Sequence, residues 1–461
     1  MIPRNTLRLT GEQHQQLKNH LFPGDGKEAV ALVLCGRLQN AGGHTLCANK
    51  ILLVAHDLCR ERTPVSVTWP TEVGRAFYQR AAEKNMAVLK VHSHPEGYDE
   101  FSAQDDRSDA ALFSSLHNWT EDGLPHASAV MLPDGTMFGR FAEQDGSFVP
   151  ITKIAVAGDD IRIFTVGEDL MVDDAQLRTL QTFGEGTTQL LRRLKIGVVG
   201  CSGTGSWVIE QLARLGVGEL VLMDPDIIER KNLNRIINSR EADALGKRSK
   251  VDALTDVIKL HGTGTMVTAL NTSSFTEDAA RQLAYCDILF GCMDLVEGRD
   301  RLNRIATFYS IPYFDLGVRL DADGNGGISN VCGVVNYLLP GGSSLLSRGC
   351  YSAETLRVQS LRRTKPAQYE SELKEGYIKG AKVESPAVVS VNGFCATMAI
   401  NELLARLHPF RSTPNAEARR QQFDLKNSFW IQLDDTGPCP ALAKNCGRGD
   451  MTPFLNSVTE E

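Results

Sequence analysis

The feature that most restricts the fold of this 461-residue chain lies at 194–224. LKIGVVG is a short apolar run, Gly200-Cys201-Ser202-Gly203-Thr204-Gly205 follows it, SWVIEQLARLG continues with helical spacing, and ELVLMD ends on Asp224. A strand that turns through glycines into a helix and returns as a strand is a βαβ unit, which demands a parallel sheet. Glycines at that turn, Gly200, Gly203 and Gly205, let phosphate oxygens approach the backbone at a helix N-terminus. An acid 24 residues after Gly200 is placed to bind ribose hydroxyls. The loop alone fits an NAD site as well as an ATP site, and Ser202 replaces the second glycine of the dinucleotide fingerprint.

The residues that follow decide between the two. Glu229-Arg230-Lys231-Asn232-Leu233-Asn234-Arg235 and Gly246-Lys247-Arg248-Ser249-Lys250 put many cations beside the nucleotide. A dehydrogenase has no use for them, whereas a triphosphate does, together with a carboxylate for a metal ion. Asp294, after the apolar strand ILFGC, suits Mg²⁺. CDILFGC (286–292) and PYFDLGV (312–318) continue the strands, 355–385 is a polar excursion, and 385–407 is a long, mostly apolar helix. Strands alternating with helices predict a doubly wound α/β domain.

That domain accounts for only part of the chain, whose length calls for two or three cores. The first 150 residues form a separate α+β pattern: strands at 28–36, 51–54 and 87–91, helices near 73–85 and 103–117, and a strand pair around Pro133-Asp134-Gly135. Residues 151–175 are expected to be a loose acidic connection, 176–435 the second domain, and 436–461 a tail. The strand at 87–91 runs into His92-Ser93-His94-Pro95, followed by Ser102 and Asp105, with Glu28 upstream. Two histidines two residues apart and a carboxylate make three ligands with an open fourth position, the pattern of a catalytic zinc site. Zinc there lowers the pKa of water to about 7. Glu28 is placed to take and return the proton, and Ser102 to donate to a developing oxyanion. Asp106 adjoins Asp105 and leaves the register open by one, while Asp99, Glu100 and Asp109 read as solvated acids.

This first constellation resembles the JAMM (MPN, JAB) metallopeptidases, which hydrolyse isopeptide or peptide bonds after ubiquitin-like proteins. The resemblance implies a cytidine-deaminase-like α+β fold, His92, His94 and Asp105 as zinc ligands, Glu28 as general base and Ser102 as oxyanion partner. Six residues separate Pro95 from Ser102, one fewer than the commonest family spacing. The second constellation resembles the Rossmann-like adenylation domain of ubiquitin-activating enzymes and the ThiF/MoeB family. It extends over roughly 176–407 and includes the D-x-D at Asp224, the N-L-N-R at Asn232–Arg235 and the D-x-x-x-x-R at Asp294–Arg299. It implies Asp224 on the ribose, Asn232 and Arg235 on phosphates, and Lys250 or Lys247 as the family lysine. Arg178 is the counterpart of an arginine that relatives supply across a homodimer interface. Such domains use ATP and Mg²⁺ to adenylate the C-terminal glycine of a ubiquitin-like protein, and many pass it to a cysteine.

Cys350, in SRGCYSAET near Arg348, is the candidate nucleophile, its pKa expected to be depressed by that cation; the alternative is a domain that only adenylates. Relatives carry a zinc-binding C-x-x-C where this chain has Ser344-Leu345-Leu346-Ser347. The two domains together resemble bacterial operons that pair these activities with a ubiquitin-like protein and a conjugating-enzyme-like partner. Sulfur-carrier activation, a non-catalytic adaptor for ubiquitin folds and an NAD oxidoreductase are the rival readings. A net charge of −7 argues against nucleic acid. No apolar run reaches the eighteen or so residues of a membrane span. MIPRNTLRLTGEQHQQ has no apolar signal core, which predicts a cytoplasmic protein. Eleven scattered cysteines without a C-x-x-C pair predict buried thiols rather than disulfides.

Overall fold

The computed structural model describes residues 5–40, 43–167, 173–323, 325–374, 387–452 and 454–455. The chain divides into two compact units, the first built from Met1–Glu168, Thr307–Ser310 and Lys444–Asn456.

The first unit is a nine-stranded sheet. Its strands run in the order Arg162–Thr165, Lys153–Ala157, Thr6–Thr10, Gly43–Leu53, Val30–Asn40, Ala87–Ser93, His126–Met131, Met137–Ala142 and Phe148–Pro150. Successive residues of a strand face opposite sides, and the segment at 29–35 uses both. Ala29, Ala31, Val33 and Cys35 pack with Leu17 and Leu21 of the helix Gly11–Leu21. Val30, Leu32 and Leu34 pack with Tyr78, Leu112, Phe113 and Leu116 of the helices Arg75–Lys84 and Ala103–Thr120. A central strand covered on both faces reads as a continuous apolar run, which is why EAVALVLCG was legible.

Two expectations are corrected. The stretch 151–175 is not merely a loose connection: Lys153–Ala157 pairs in parallel with Thr6–Thr10, and Arg162–Thr165 folds back on it. The tail is not a free appendage either. Gly36 donates its N–H to the Gly447 carbonyl at 3.1 Å, and the Asp450 N–H donates to the Arg37 carbonyl at 2.8 Å. Neither was legible, because these segments are short and pair with residues far away in sequence.

The second unit carries an eight-stranded sheet. Met266–Leu270, Glu219–Met223, Lys195–Val199, Ile288–Gly291 and Tyr313–Ala322 are parallel, and Ile328–Leu338, Arg420–Asp424 and Phe429–Gln432 extend it antiparallel. Strand order reverses at Lys195–Val199, which lies between Glu219–Met223 and Ile288–Gly291. In such sheets ligands bind in the crevice beyond the strand carboxyl ends at that reversal. The long apolar helix spans Val389–Leu407, and the polar stretch before it forms the helices Ala353–Thr364 and Pro366–Lys374. The remainder of that excursion, 375–386, lies outside the described residues. Among the described residues no helix is long and apolar enough to cross a membrane.

Candidate functional site

The first cluster sits where Ala87–Ser93 ends and Ala103–Thr120 begins. His92 is held by the sheet, its residue paired with Val30, and the His94 N–H donates to the Met131 carbonyl. Ser102 caps the helix. Its hydroxyl accepts from the Asp105 N–H and donates to Asp105 Oδ2 at 2.7 Å, while the Ser102 N–H donates to the same oxygen at 2.8 Å. This reciprocal capping box fixes the carboxylate. Asp105 Oδ1 lies 2.9 Å from His92 Nε2, Asp105 Oδ2 lies 3.5 Å from His94 Nε2, and the two imidazole nitrogens are 3.1 Å apart.

Ligand atoms about 2.0–2.2 Å from a tetrahedral zinc stand roughly 3.3–3.6 Å from one another, so this spacing fits one ion. His94 Nδ1 donates to the Tyr98 carbonyl at 2.7 Å, which leaves the Nε2 lone pair facing the cluster. Burial, aided by the nearby Lys90 cation, pushes His92 down to about 4, so its ring is neutral at physiological pH. No other group of three or more His, Cys, Asp or Glu among the described residues could hold a metal. Glu28 is buried just before the central strand, and burial raises its carboxyl to about 7, opposed by the charge of His94. A carboxyl held there exchanges protons near neutral pH, as a general base must.

Asp105, not Asp106, faces the histidines. Asp106 pairs with Arg140 at 2.5 Å. Asp109 is no solvated acid: it is fully buried between Lys90 Nζ, at 2.7 Å, and Arg140 Nη2, at 2.8 Å. Sequence reasoning missed Lys90 and Arg140. The available signal was a lysine inside the otherwise apolar run AVLKV.

The second cluster is a cavity of about 570 Å³ at the strand reversal. Gly200, Ser202, Asp224, Asn232, Arg235, Lys250 and Asp294 all line it, and so do residues 272–275 and Met293, which sequence reasoning did not single out. Gly200 has φ +92°, and a Cβ there would stand 2.5 Å from the Cys292 carbonyl oxygen, so only glycine lets the two loops meet. Gly203 and Gly205 lie outside the cavity lining. A Cβ on Gly205 would overlap the Gly200 carbonyl, and one on Gly203 the Asn392 amide. Those two glycines seat the helix Gly203–Arg214 against its surroundings.

Asp224 Oδ2 accepts from the Cys201 N–H at 2.7 Å and Oδ1 from the Asp226 N–H at 2.9 Å. Lys250 Nζ lies 3.3 Å from Asp224 Oδ1 and 2.7 Å from Asp226 Oδ2, and is itself buried. Lys250 thus stands at the acid pair, whereas Lys247 is exposed and outside the cavity. Asp294 is exposed on the loop between Ile288–Gly291 and Val296–Phe308. Arg299, six residues into the same motif, faces away: it forms two bonds to the buried Asp315, at 2.8 and 2.5 Å. Arg178 is exposed on Leu177–Arg193, bonded to Gln181, and does not line the cavity.

Cys350 lies apart from the crevice lining, and the expected low-pKa thiol is corrected. Burial pushes the thiol up and the Asp315 charge adds to it, against the pull of Arg299, Arg420 and Arg348. Arg348 is fully committed elsewhere, donating to Ser343 Oγ, Asn336 Oδ1 and the Tyr337 carbonyl. At pH 7.5 iodoacetamide is therefore expected to modify Cys350 more slowly than a free cysteine, since the thiolate is the nucleophile. Peptide mass spectrometry of timed samples reads this directly, and labelling at the free-thiol rate would contradict the buried environment.

Two family models match the chain. Residues 174–440 match the ThiF family and residues 12–143 the prokaryotic homologs of the JAB domain. A ubiquitin-like modifier-activating enzyme 5 of Bombyx mori is 28% identical over 167 residues, covering 33% of this chain and 39% of that protein. An adenylyltransferase and sulfurtransferase MOCS3 of Caenorhabditis briggsae is 32% identical over 143 residues, 31% of this chain and 33% of that one. The match thus spans between a third and two fifths of these relatives. Among solved structures, E. coli MccB with succinimide aligns over 59% of this chain and 74% of its own, at 17% identity and a TM-score of 0.43. With more than half its length matched by one family and the preceding segment by another, the chain belongs to the ThiF family and carries a prokaryotic JAB-type domain ahead of its ThiF domain.

Proposed function

We propose that the ThiF domain adenylates the C-terminal glycine of a ubiquitin-like protein, and that the JAB domain is a zinc (iso)peptidase acting after the same glycine. The observation that carries the first half is the crevice at the strand reversal, where Asp224, Lys250, Asn232, Arg235 and Asp294 line one cavity. In the reaction a glycine carboxylate oxygen attacks the α-phosphorus of ATP, and pyrophosphate leaves as the P–O bond to the β-phosphate breaks. Asp224, with its carboxylate oriented by two backbone N–H groups, binds the ribose. Asn232 and Arg235 bind phosphate oxygens, Lys250 neutralises charge that builds at the reacting phosphorus, and Asp294 holds Mg²⁺.

In the JAB domain His92, His94 and Asp105 would hold zinc, which would supply Lewis-acid chemistry at the site. Glu28 takes the proton and returns it to the leaving amine. Ser102 donates its one hydroxyl proton to Asp105, and would donate to an oxyanion by giving up that bond. The partners in this reading are the ubiquitin-like protein and a conjugating-enzyme-like acceptor, with a homodimer supplying Arg178 to the neighbouring site. The raised thiol of Cys350 favours handing the acyl-adenylate to another protein. The likeness to a relative named an adenylyltransferase and sulfurtransferase favours, as a second reading, a sulfur-carrier protein as the substrate.

ATP–pyrophosphate exchange tests the first half. With a glycine-terminated ubiquitin-like protein present, exchange is expected in the wild-type chain, and Asp294→Ala is expected to lower it by about 10²–10³-fold, the scale for loss of an electrostatic group. Exchange that proceeds without any carrier protein, or that is untouched in Asp294→Ala, would remove the basis for this assignment.

A further inference from the structure

Metal clusters are only as rigid as the elements that carry the ligands, and here those elements are the strand Ala87–Ser93 and the helix Ala103–Thr120 that follows it. Along a strand, residues two apart share a face; along a helix, residues four apart do. Lys90 is two residues before His92, and Asp109 four after Asp105. The strand therefore presents Lys90 and His92 in line, and the helix presents Asp109 and Asp105 in line.

Both pairs meet. His92 reaches Asp105 at 2.9 Å and Lys90 reaches Asp109 at 2.7 Å. Lys90 is 2% exposed and Asp109 0%. Arg140, on Met137–Ala142, ties the same helix a second time, to Asp109 Oδ2 and to Asp106 Oδ1. Its guanidinium lies 3.8 Å from the ring centres of both Phe101 and Phe148, so it has little freedom to swing away. The buried Asp109 is shared by both cations, and the exposed Asp106 carboxylate completes the pairing of Arg140.

Resting on the zinc reading above, we infer that Lys90, Asp109 and Arg140 are positioning residues for the metal site. They fix the axial and rotational register of Ala103–Thr120 against Ala87–Ser93, so that Asp105 can close on His92 and His94. They touch no metal and no substrate. A one-turn slip of the helix along its axis would carry Asp105 away from the histidines, and the bonds of Lys90 and Arg140 to Asp109 oppose it.

The test uses the full chain and zinc itself, with affinity read by competition against a chromogenic chelator and geometry by the visible spectrum of the Co²⁺-loaded form. Asp109→Asn is expected to weaken zinc binding about 10–100-fold, the scale for residues that orient ligands, and to alter the Co²⁺ bands. Arg140→Lys keeps the charge but cannot bridge two carboxylates, so it is expected to shift both readouts in the same direction. It also carries the test should Asp109→Asn fail to fold. The double variant K90M/D109L leaves no lone charge from that pair; it is expected to unfold thermally close to wild type yet still bind zinc at least about 10-fold more weakly. Wild-type affinity and spectra in folded Asp109→Asn, Arg140→Lys and K90M/D109L would overturn this proposal alone. A wild-type chain that takes up no zinc would overturn it together with the reading on which it rests.

Discussion

Asp105→Ala is expected, on the zinc-peptidase reading proposed above, to strip the JAB domain of zinc and to reduce peptidase activity to background while leaving the domain folded. The side chain meets both histidines through different oxygens, at 2.9 and 3.5 Å, so its removal takes one of three ligands and the group that braces the other two. Zinc sites with four protein ligands bind with roughly 10–16 kcal/mol at pH 7, so one ligand is worth about 3 kcal/mol, or roughly 10²-fold in affinity. The fold has little to lose in comparison. Ser102 would still accept the backbone N–H of residue 105, while the bonds from the Ser102 N–H and hydroxyl to the carboxylate are lost, a capping cost of about 0.5–2 kcal/mol. Zinc content by atomic emission after dialysis against a weak chelator, together with a melting curve, checks both halves. A full equivalent of zinc in the variant would place the metal elsewhere.

The second large effect belongs to Lys250. Its ammonium is buried against Asp224 and Asp226, and the carboxylate of Asp224 is itself buried. Lys250→Met is expected to lower stability by about 3 kcal/mol, because removal of one partner leaves a buried charge uncompensated. The two backbone N–H groups on Asp224 keep the loss near the low end of that range. Pyrophosphate exchange should fall by about 10²–10³-fold, even at temperatures where the variant is folded. Lys247→Met is the control: its side chain is exposed and outside the cavity, so neither readout should move. Equal losses in both variants would shift the assignment away from the buried lysine.

What the sequence disclosed and what it withheld have different physical origins. The strand at 195–199, the turn at Gly200 and the helix after it were legible because local pattern and tertiary role agree: an apolar run, a positive φ and a helix start fall in consecutive residues. The same holds for His92 and His94, which lie in and just after a strand buried at every position. Register information was weaker. Asp105 is set apart from Asp106 by its capping-box bonds to Ser102, three residues earlier, and Asp106 is taken by Arg140, some 34 residues away in sequence. The burial of Asp109 was hidden, since both its cationic partners come from other strands. The raised thiol of Cys350 is not legible from its nearness to Arg348, because burial and the Asp315 charge outweigh the pull of Arg299, Arg420 and Arg348. The short pairing segments Lys153–Ala157 and Arg162–Thr165 carry no signature of their own and exist as strands only because Thr6–Thr10 offers an edge.

The segment Lys444–Asn456, which the fold assigns to the first unit, bears on how such a protein can be divided. A polypeptide that stops at residue 168 holds the whole metal cluster but lacks the residues whose backbone satisfies Gly36 and Arg37. A gene cut between the JAB and ThiF regions would therefore yield an amino-terminal product missing a piece encoded beyond the ThiF region. Covalent union is thus part of how the amino-terminal half completes itself, and separation into two cistrons would first require a substitute for that returning segment.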